Sequence, residues 1–395
     1  MRRSWIAAAA VLLGTGWGAN QFAPMLLVYQ HDLGLDTAVV EAMFGVYALG
    51  LIPGLLIAGP LADARGRRAV VLPAAALSLV SSLVLVAGAH SVALLVAGRF
   101  LAGISSGAVF GAGTAWLREL SVPPVGDATP ETAARRAAIA MTVGFGLGPL
   151  VAGLLAQWVP APRVIAYAPH LVLMIVVLMS LRRTPETVIE RTGRVRFLIP
   201  GLGAYRFRRV VAPMAPWVFA APAIGFALLP SVVGADTARD GIAVTAAVTA
   251  LTAFTGVFVQ PLARRLDTGT ARNRAAVLGL LILTVGLLAA SLTAARDARW
   301  ALVPCAILFG AAYGLCLVAG LIEVGRMAGR DALARLTAAY YALTYIGFAA
   351  PFVLALAAHV TTYPILLVIV AGLAAATAAV VAFTPDRSSA IASQA

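Results

Sequence analysis

The chain has 395 residues, 61% of them hydrophobic and 11% charged, with a mean hydropathy of +0.94. Soluble domains carry about 25% charged residues, so a water-soluble fold is excluded and lipid is the expected solvent. The net charge is +13 and every basic residue is arginine. These arginines fall in the gaps between apolar runs instead of striping a helix, which argues against a nucleic-acid partner.

Taken in order, apolar runs of about twenty residues recur from end to end, the length that a ~30 Å hydrocarbon core requires. The opening Met1-Arg-Arg-Ser-Trp5 and Ile6–Leu13 resemble a signal peptide. The stretch continues to Tyr29 without an A-x-A site, so a first membrane helix fits better. Spans are predicted at 5–29, 38–61, 69–88, 92–117, 137–158, 163–181, 211–234, 241–263, 274–295, 300–323, 335–357 and 362–384, twelve in all. The two cysteines, Cys305 and Cys316, share the tenth span and form neither a metal spacing nor a disulfide framework. With both termini cytoplasmic, inner segments hold 24 arginines and outer loops hold Arg163, Arg239, Arg296 and Arg299, with Arg99 left inside a helix. That asymmetry orients the chain as a multi-pass protein of a bacterial inner membrane.

The expected fold is therefore all-α, with twelve transmembrane helices in two six-helix bundles, residues 1–181 and 211–395. A basic cytoplasmic linker at 182–210 carries eight arginines. Its block Tyr205-Arg-Phe-Arg-Arg209 suits anionic head groups, a solvated linker being the alternative. The halves read as repeats. Pro60-Leu-Ala62 recurs as Pro261-Leu-Ala263, Gly103 and Gly107 as Gly310 and Gly314, and Gly148-Pro149 as Ala350-Pro351, at offsets of 201, 207 and 202. Parallel six-span repeats are one transporter plan.

Between the second and third spans lies Gly59-Pro-Leu-Ala-Asp63-Ala-Arg65-Gly66-Arg67-Arg68. It resembles the loop between helices two and three of the major facilitator superfamily, with Ala64 where that pattern has its first basic residue. Arg99-Phe-Leu-Ala-Gly103-Ile-Ser-Ser-Gly107 resembles the fourth-helix motif of the proton-linked members. Gly144-Phe-Gly-Leu-Gly148-Pro149-Leu-Val-Ala152-Gly153 resembles the fifth-helix motif of the drug:proton antiporter branch, with Ala152 in place of one glycine. Pro185-Glu186-Thr187 also has a family look.

The resemblance implies a conformational latch at Gly59, Asp63, Gly66, Arg67 and Arg68, with Glu119 as partner of Arg67. Asp63 would meet the start of the eleventh helix near Arg335, across the two halves. Arg99 lies about 10 Å deep in the fourth helix, where a charge must be paired or wet. Asn20 and Gln21 lie at similar depth and Glu41 is the nearest carboxylate, a static salt bridge being the bland alternative. Glu323, near the inner end of the tenth helix, is a second proton carrier candidate, or an interfacial partner of Arg326 or Arg330. Together Arg99, Glu41 and Glu323 are the proton-coupling candidates. Substrate-cavity candidates are Trp17, Asn20, Gln21, Phe22, Trp217, Tyr313, Tyr341 and Tyr345, on helices that line the central cavity in this family. Gly144, Gly148 and Pro149 allow close packing and bending of the fifth helix, a candidate hinge. His170 and His359 are read as satisfied or interfacial.

The function expected is secondary active transport by alternating access: proton-coupled efflux of small lipophilic or weakly cationic compounds by a monomer, with protons, substrate and bilayer as partners and no cofactor. The alternatives are an uptake symporter for a sugar or organic acid and, from another class, a non-transporting sensor or intramembrane enzyme. No G-x-x-x-x-G-K-[ST] nucleotide motif and no Ser/His/Asp cluster occurs.

Overall fold

The computed structural model describes residues 4–188, 201–234, 240–267, 273–328 and 333–385. Among them eleven helices are long and apolar enough to cross a membrane. They are α2 (Thr37–Arg65), α3 (Arg67–Ala87), α4 (Val92–Ser121), α5 (Pro130–Trp158), α6 (Pro162–Leu181), α7 (Phe207–Val232), α8 (Gly241–Leu266), α9 (Arg274–Arg296), α10 (Arg299–Met327), α11 (Arg335–Ala357) and α12 (Tyr363–Ala382). The expected first span, α1, is present but broken: it runs Trp5–Asn20 and resumes as Met25–Leu33. Pro24 has no N–H to give the Asn20 carbonyl, and Ala23 N bonds that oxygen at 3.0 Å instead, in a tighter turn. The middle of the 182–210 linker, residues 189–200, lies outside the described residues, as do Arg2, Arg3, Arg239, Arg272, Arg330 and Arg387.

Helix starts follow local chemistry. Asp36 accepts the Ala38 N–H at 2.7 Å to begin α2, Ser91 caps α4, and Thr129 followed by Pro130 opens α5. The turn from α2 to α3 is the single residue Gly66 at φ +108°, a conformation that glycine alone adopts without strain.

The helices form two bundles with matching contacts. In the first, α1 packs on α5, α2 on α4, and α3 on α4 and α6; in the second, α7 packs on α11, α8 on α10, and α9 on α10 and α12. The repeated glycines explain the equivalence. A Cβ on Gly107 would lie 2.2 Å from the Leu51 carbonyl oxygen of α2, and one on Gly314 would lie 1.9 Å from that of Gly256 on α8. Bare backbone thus lets α4 meet α2 and α10 meet α8 by the same device. Outward faces of α6, α9 and α12 expose Ile175, Met179, Leu281, Leu292, Val368 and Leu373, as suits contact with lipid.

The bundles meet along two seams, α2 with α11 and α5 with α8. Toward the end away from the basic connectors both seams are shut. Phe44 of α2 packs on Phe348 of α11 and on Phe226 of α7, with ring centroids 5.1 and 6.0 Å apart. Gly153 of α5 leaves space only for Ala246 of α8, and the Gln157 side-chain oxygen accepts the Ala243 N–H at 3.1 Å.

Candidate functional site

Between the bundles, toward the end that carries the basic connectors, the seams part around a cavity of about 550 Å³. Its wall combines the rings of Tyr47, Phe145, Phe219, Phe226, Tyr313, Tyr341, Tyr345 and Phe348 with the neutral side chains of Asn20, Thr114, Thr142 and Gln260, and with Arg264 near the mouth. Helices of both halves supply these residues, so the space exists only because the halves face each other.

Four of the eight expected cavity residues line it: Asn20, Tyr313, Tyr341 and Tyr345. The other four do not. Gln21 donates to Ser82 Oγ at 3.1 Å, inside a buried chain that continues through His170 Nδ1 (2.9 Å) to the Gly14 carbonyl, which His170 Nε2 contacts at 3.0 Å. His170 is thus a satisfied core histidine. Phe22 lies under the Arg99 guanidinium, Trp217 donates to Thr377 Oγ1 of α12 at 3.1 Å, and the backbone of Trp17 is what Gly148 packs against. The residues missed are Tyr47, Phe145, Phe226, Phe348, Thr114, Thr142, Gln260 and Arg264. Helices that are apolar all round carry no polar stripe to show which face turns inward.

Arg99 is fully buried. Its Nη1 donates to the Ala19 carbonyl at 3.1 Å and its Nη2 to the Phe44 carbonyl at 3.3 Å. Its guanidinium carbon sits 4.5 Å from the Tyr47 ring centroid and 4.7 Å from that of Phe22. Among the described residues no carboxylate pairs with it. The expected contacts with Gln21 and Glu41 are not made: carbonyl dipoles and ring faces solvate the charge instead. Glu41 is buried, and its Oε2 has no hydrogen-bond partner.

The connector at 59–68 is one node of a larger network. Arg67, the first residue of α3, pairs with Asp63 at 2.5 Å and with Glu119 of α4 at 2.9 Å. The Thr187 hydroxyl donates to the second Glu119 oxygen. Glu186 accepts the backbone N–H groups of Arg67 and Arg68 at 2.9 and 3.0 Å, which caps the positive end of α3. Arg68 donates to the Arg182 carbonyl, and Trp116 Nε1 to that of Pro185 at 3.1 Å. A Cβ on Gly66 would lie 2.4 Å from the Glu186 carboxylate, whereas one on Gly59 would meet nothing within 4 Å. Gly59 is therefore outside the network, and Glu186 and Thr187 belong to it. Asp63 pairs inside its own half, not with Arg335 across the seam.

Glu323 does not face the cavity. It pairs with Arg206, and with Arg326 at 3.7 Å; Arg206 also donates to Asn273 Oδ1 at 2.6 Å. Asn273 in turn donates to the Val381 carbonyl at 3.0 Å, and Asp267 accepts the Ala275 N–H at 3.2 Å. Burial pushes the Asp267 carboxyl above its usual range, against the opposing pull of its hydrogen bond to Ala275. Glu323 stands 204 positions after Glu119, so this is the second half's counterpart of the Arg67–Glu119 node. Tyr313 reaches the cavity while Cys316 packs on Gly279 of α9, so these two residues of α10 serve different faces.

On α5, a Cβ at Gly144 would lie 2.2 Å from the Leu13 carbonyl oxygen and one at Gly148 2.7 Å from that of Trp17. With Pro149 in mid-helix, these residues hold α1 and α5 backbone to backbone.

Eleven membrane-length helices and a broken first one among the described residues, in two like bundles with a cavity at their seam, have the architecture of a membrane transporter. The particular family follows from the sequence: residues 6–351 match the model of the Major Facilitator Superfamily, and the chain belongs to it. It is similar to the multidrug resistance protein MdtL of Escherichia coli O45:K1 (strain S88 / ExPEC), 34% identical over 119 residues that cover 30% of each chain. It is also similar to the 4-hydroxybenzoate transporter PcaK of Pseudomonas aeruginosa, 31% identical over 189 residues, 47% of this chain and 39% of that one. Both matches thus span well under half the length of those relatives. The nucleoside transporter NupG shares the fold with a TM-score of 0.72 and 13% identity, over 97% of this chain and 100% of that one. A POT family transporter solved in complex with 5-aminolevulinic acid gives 0.78 and 11%, over 96% of each chain.

Proposed function

We propose that the protein is a proton-coupled exporter of small, mostly apolar molecules, working by alternating access in a bacterial inner membrane with both termini cytoplasmic. The observation that carries the reading is the cavity between the bundles, shut at one end by Phe44, Phe226 and Phe348 and open at the end where the arginines collect. On the positive-inside assignment this is the inward-facing state, ready to load from the cytoplasm. The match to a multidrug resistance protein supports export.

In this reading residues 1–181 and 211–395 move as bodies joined by the 182–210 linker, and one copy is the working unit. The Asp63–Arg67–Glu119 node and its Glu323 counterpart keep each bundle stiff at the cytoplasmic end, so that motion is confined to the seams. Gly144, Gly148 and Pro149 hold α5 backbone to backbone against α1, so that α5 moves with its own bundle and presents a fixed face to α8. Glu41 carries the coupling proton. It lies on α2 one turn from Phe44 and Gly45, on the side that meets α11; it is buried, and among the described residues no cation pairs with it. Opening that end would expose Glu41 to the outer solution, from which it takes up a proton; the neutral side chain favours closure, and the proton leaves to the cytoplasm through the cavity as the next solute loads. Arg99 holds α1, α2 and α4 together above the cavity.

A second reading, uptake of an organic acid, is favoured by the match to the 4-hydroxybenzoate transporter. Reconstitution in liposomes with an imposed pH gradient separates the two by the direction of solute flow. Flow of every solute that ignores the gradient would refute proton coupling in either direction.

A further inference from the structure

The charge lining the cavity is one-sided. Among the described residues that line it there is no aspartate or glutamate, and the polar groups other than Arg264 are neutral. Two cations flank it. Arg264 stands near the mouth, with no acidic partner among the described residues; it occupies the place, 201 positions on, that Asp63 holds in the first half. Arg99 lies directly behind Tyr47, also without a carboxylate. Arginine stays ionised in proteins, so both charges are permanent.

Aromatic walls commonly hold cations through their ring faces, but here many of the faces are spent. The face of Tyr47 is occupied by Arg99 at 4.5 Å. Phe219 stacks on Tyr345 with centroids 4.4 Å apart at 25°, and Tyr345 lies near-parallel to Phe348 at 5.6 Å and 9°. Rings stacked in this way cover their negative faces and leave positive edges for a ligand.

We propose that the cavity selects molecules that join an aromatic body to a negative charge, such as aromatic carboxylates, and rejects cations of the same shape. The inference rests on the cavity being the translocation site and adds the class of solute it takes. A unit charge about 10 Å from an arginine at an effective dielectric of about 20 feels an effect worth roughly tenfold in affinity, in opposite directions for anion and cation.

The test is binding of three ligands of matched shape, 4-tert-butylbenzoate, 4-tert-butylbenzamide and 4-tert-butyl-N,N,N-trimethylanilinium. It is read as ligand-induced thermal stabilisation of the purified full-length protein and as competition for transport in liposomes. The expected order is anion, then amide, then cation, in steps of roughly tenfold. In Arg264→Gln, an exposed site whose change spares the fold, the anion-to-amide ratio should fall at least threefold, roughly. A cation that binds as well as the anion, or a ratio untouched by Arg264→Gln, overturns the charge selection while leaving the translocation site standing. No stabilisation and no competition by any of the three overturns the translocation site, and the solute class with it.

Discussion

Gly314→Ala is the sharpest structural perturbation available in this chain. The added Cβ would sit 1.9 Å from the Gly256 carbonyl oxygen, 2.6 Å from Val259 Cγ2 and 2.8 Å from the Gly256 carbonyl carbon. Ordinary contact begins near 3.4 Å, so α8 and α10 must separate by roughly 1.5 Å, and the obstacle is backbone with no rotamer to yield. Overpacking costs about 1–3 kcal/mol, and a backbone clash belongs at the top of that range, about 3 kcal/mol. Gly107→Ala, which meets the Leu51 carbonyl oxygen at 2.2 Å and the Leu55 nitrogen at 2.6 Å, should cost a similar amount in the first bundle. The control is Gly372→Ala on the exposed face of α12, where a Cβ meets nothing within 4 Å. There the better helix propensity of alanine should stabilise, by up to about 1 kcal/mol. Thermal unfolding of the purified variants, followed by tryptophan fluorescence, reads all three. A Gly314→Ala protein as stable as Gly372→Ala would refute the close α8–α10 packing and with it the glycine basis of the repeat.

The other predictions concern charge. Glu323→Gln strands Arg206 and Arg326, and should lower stability by about 2–3 kcal/mol while the dependence of transport on the pH gradient survives; loss of gradient dependence with normal stability would return Glu323 to the proton path. Asp63→Asn should leave insertion and folding intact and slow transport several-fold, since Arg67 keeps Glu119 but loses its tie to the connector; unchanged transport counts against a stiffening role for that node. Glu41→Gln should bind ligand normally yet lose acceleration by an imposed gradient, and an undiminished gradient response would remove it from coupling. Asp267 has its pKa raised by burial, so the folded state favours its protonated form. Stability is then fullest below the unfolded value and declines as pH rises through the window up to the raised one. Asp267→Asn should accordingly raise the melting temperature at pH 7 more than at pH 4, and the reverse order would contradict the sign.

Much of this architecture was legible in the residues alone. Twenty-residue apolar runs place the spans, and paired glycines such as Gly107 and Gly314 align the halves, because close backbone approach leaves a one-letter trace. Arg67 with Glu119 was legible because a charge at a helix end in a membrane protein needs a partner. The parts that were not legible share a cause. Glu186 caps α3 from 119 positions beyond Arg67, a contact made by tertiary packing, and no spacing records it. Gln21 looked like a companion for Arg99, but Ser82 and His170 offered it a closed chain on the other side of α1. Trp17 and Trp217 differ from Tyr313 and Tyr345 only in the direction they point, which uniformly apolar helices do not encode. Glu323 pairs with Arg326, the interfacial alternative, but its closer partner Arg206 lies 117 positions earlier in the linker region, where no spacing points to it.

The central claim is that the two bundles exchange which end of the cavity is open. It is tested most directly by spin-label distances across both ends of the protein in liposomes: Ala134 on α5 with Leu321 on α10 at the open end, and Leu35 with Val360 in the loops at the closed end. A pH step that deprotonates the outer end should shorten the first distance and lengthen the second. Distances that stay fixed, or that change in the same direction, would contradict alternating access in this chain.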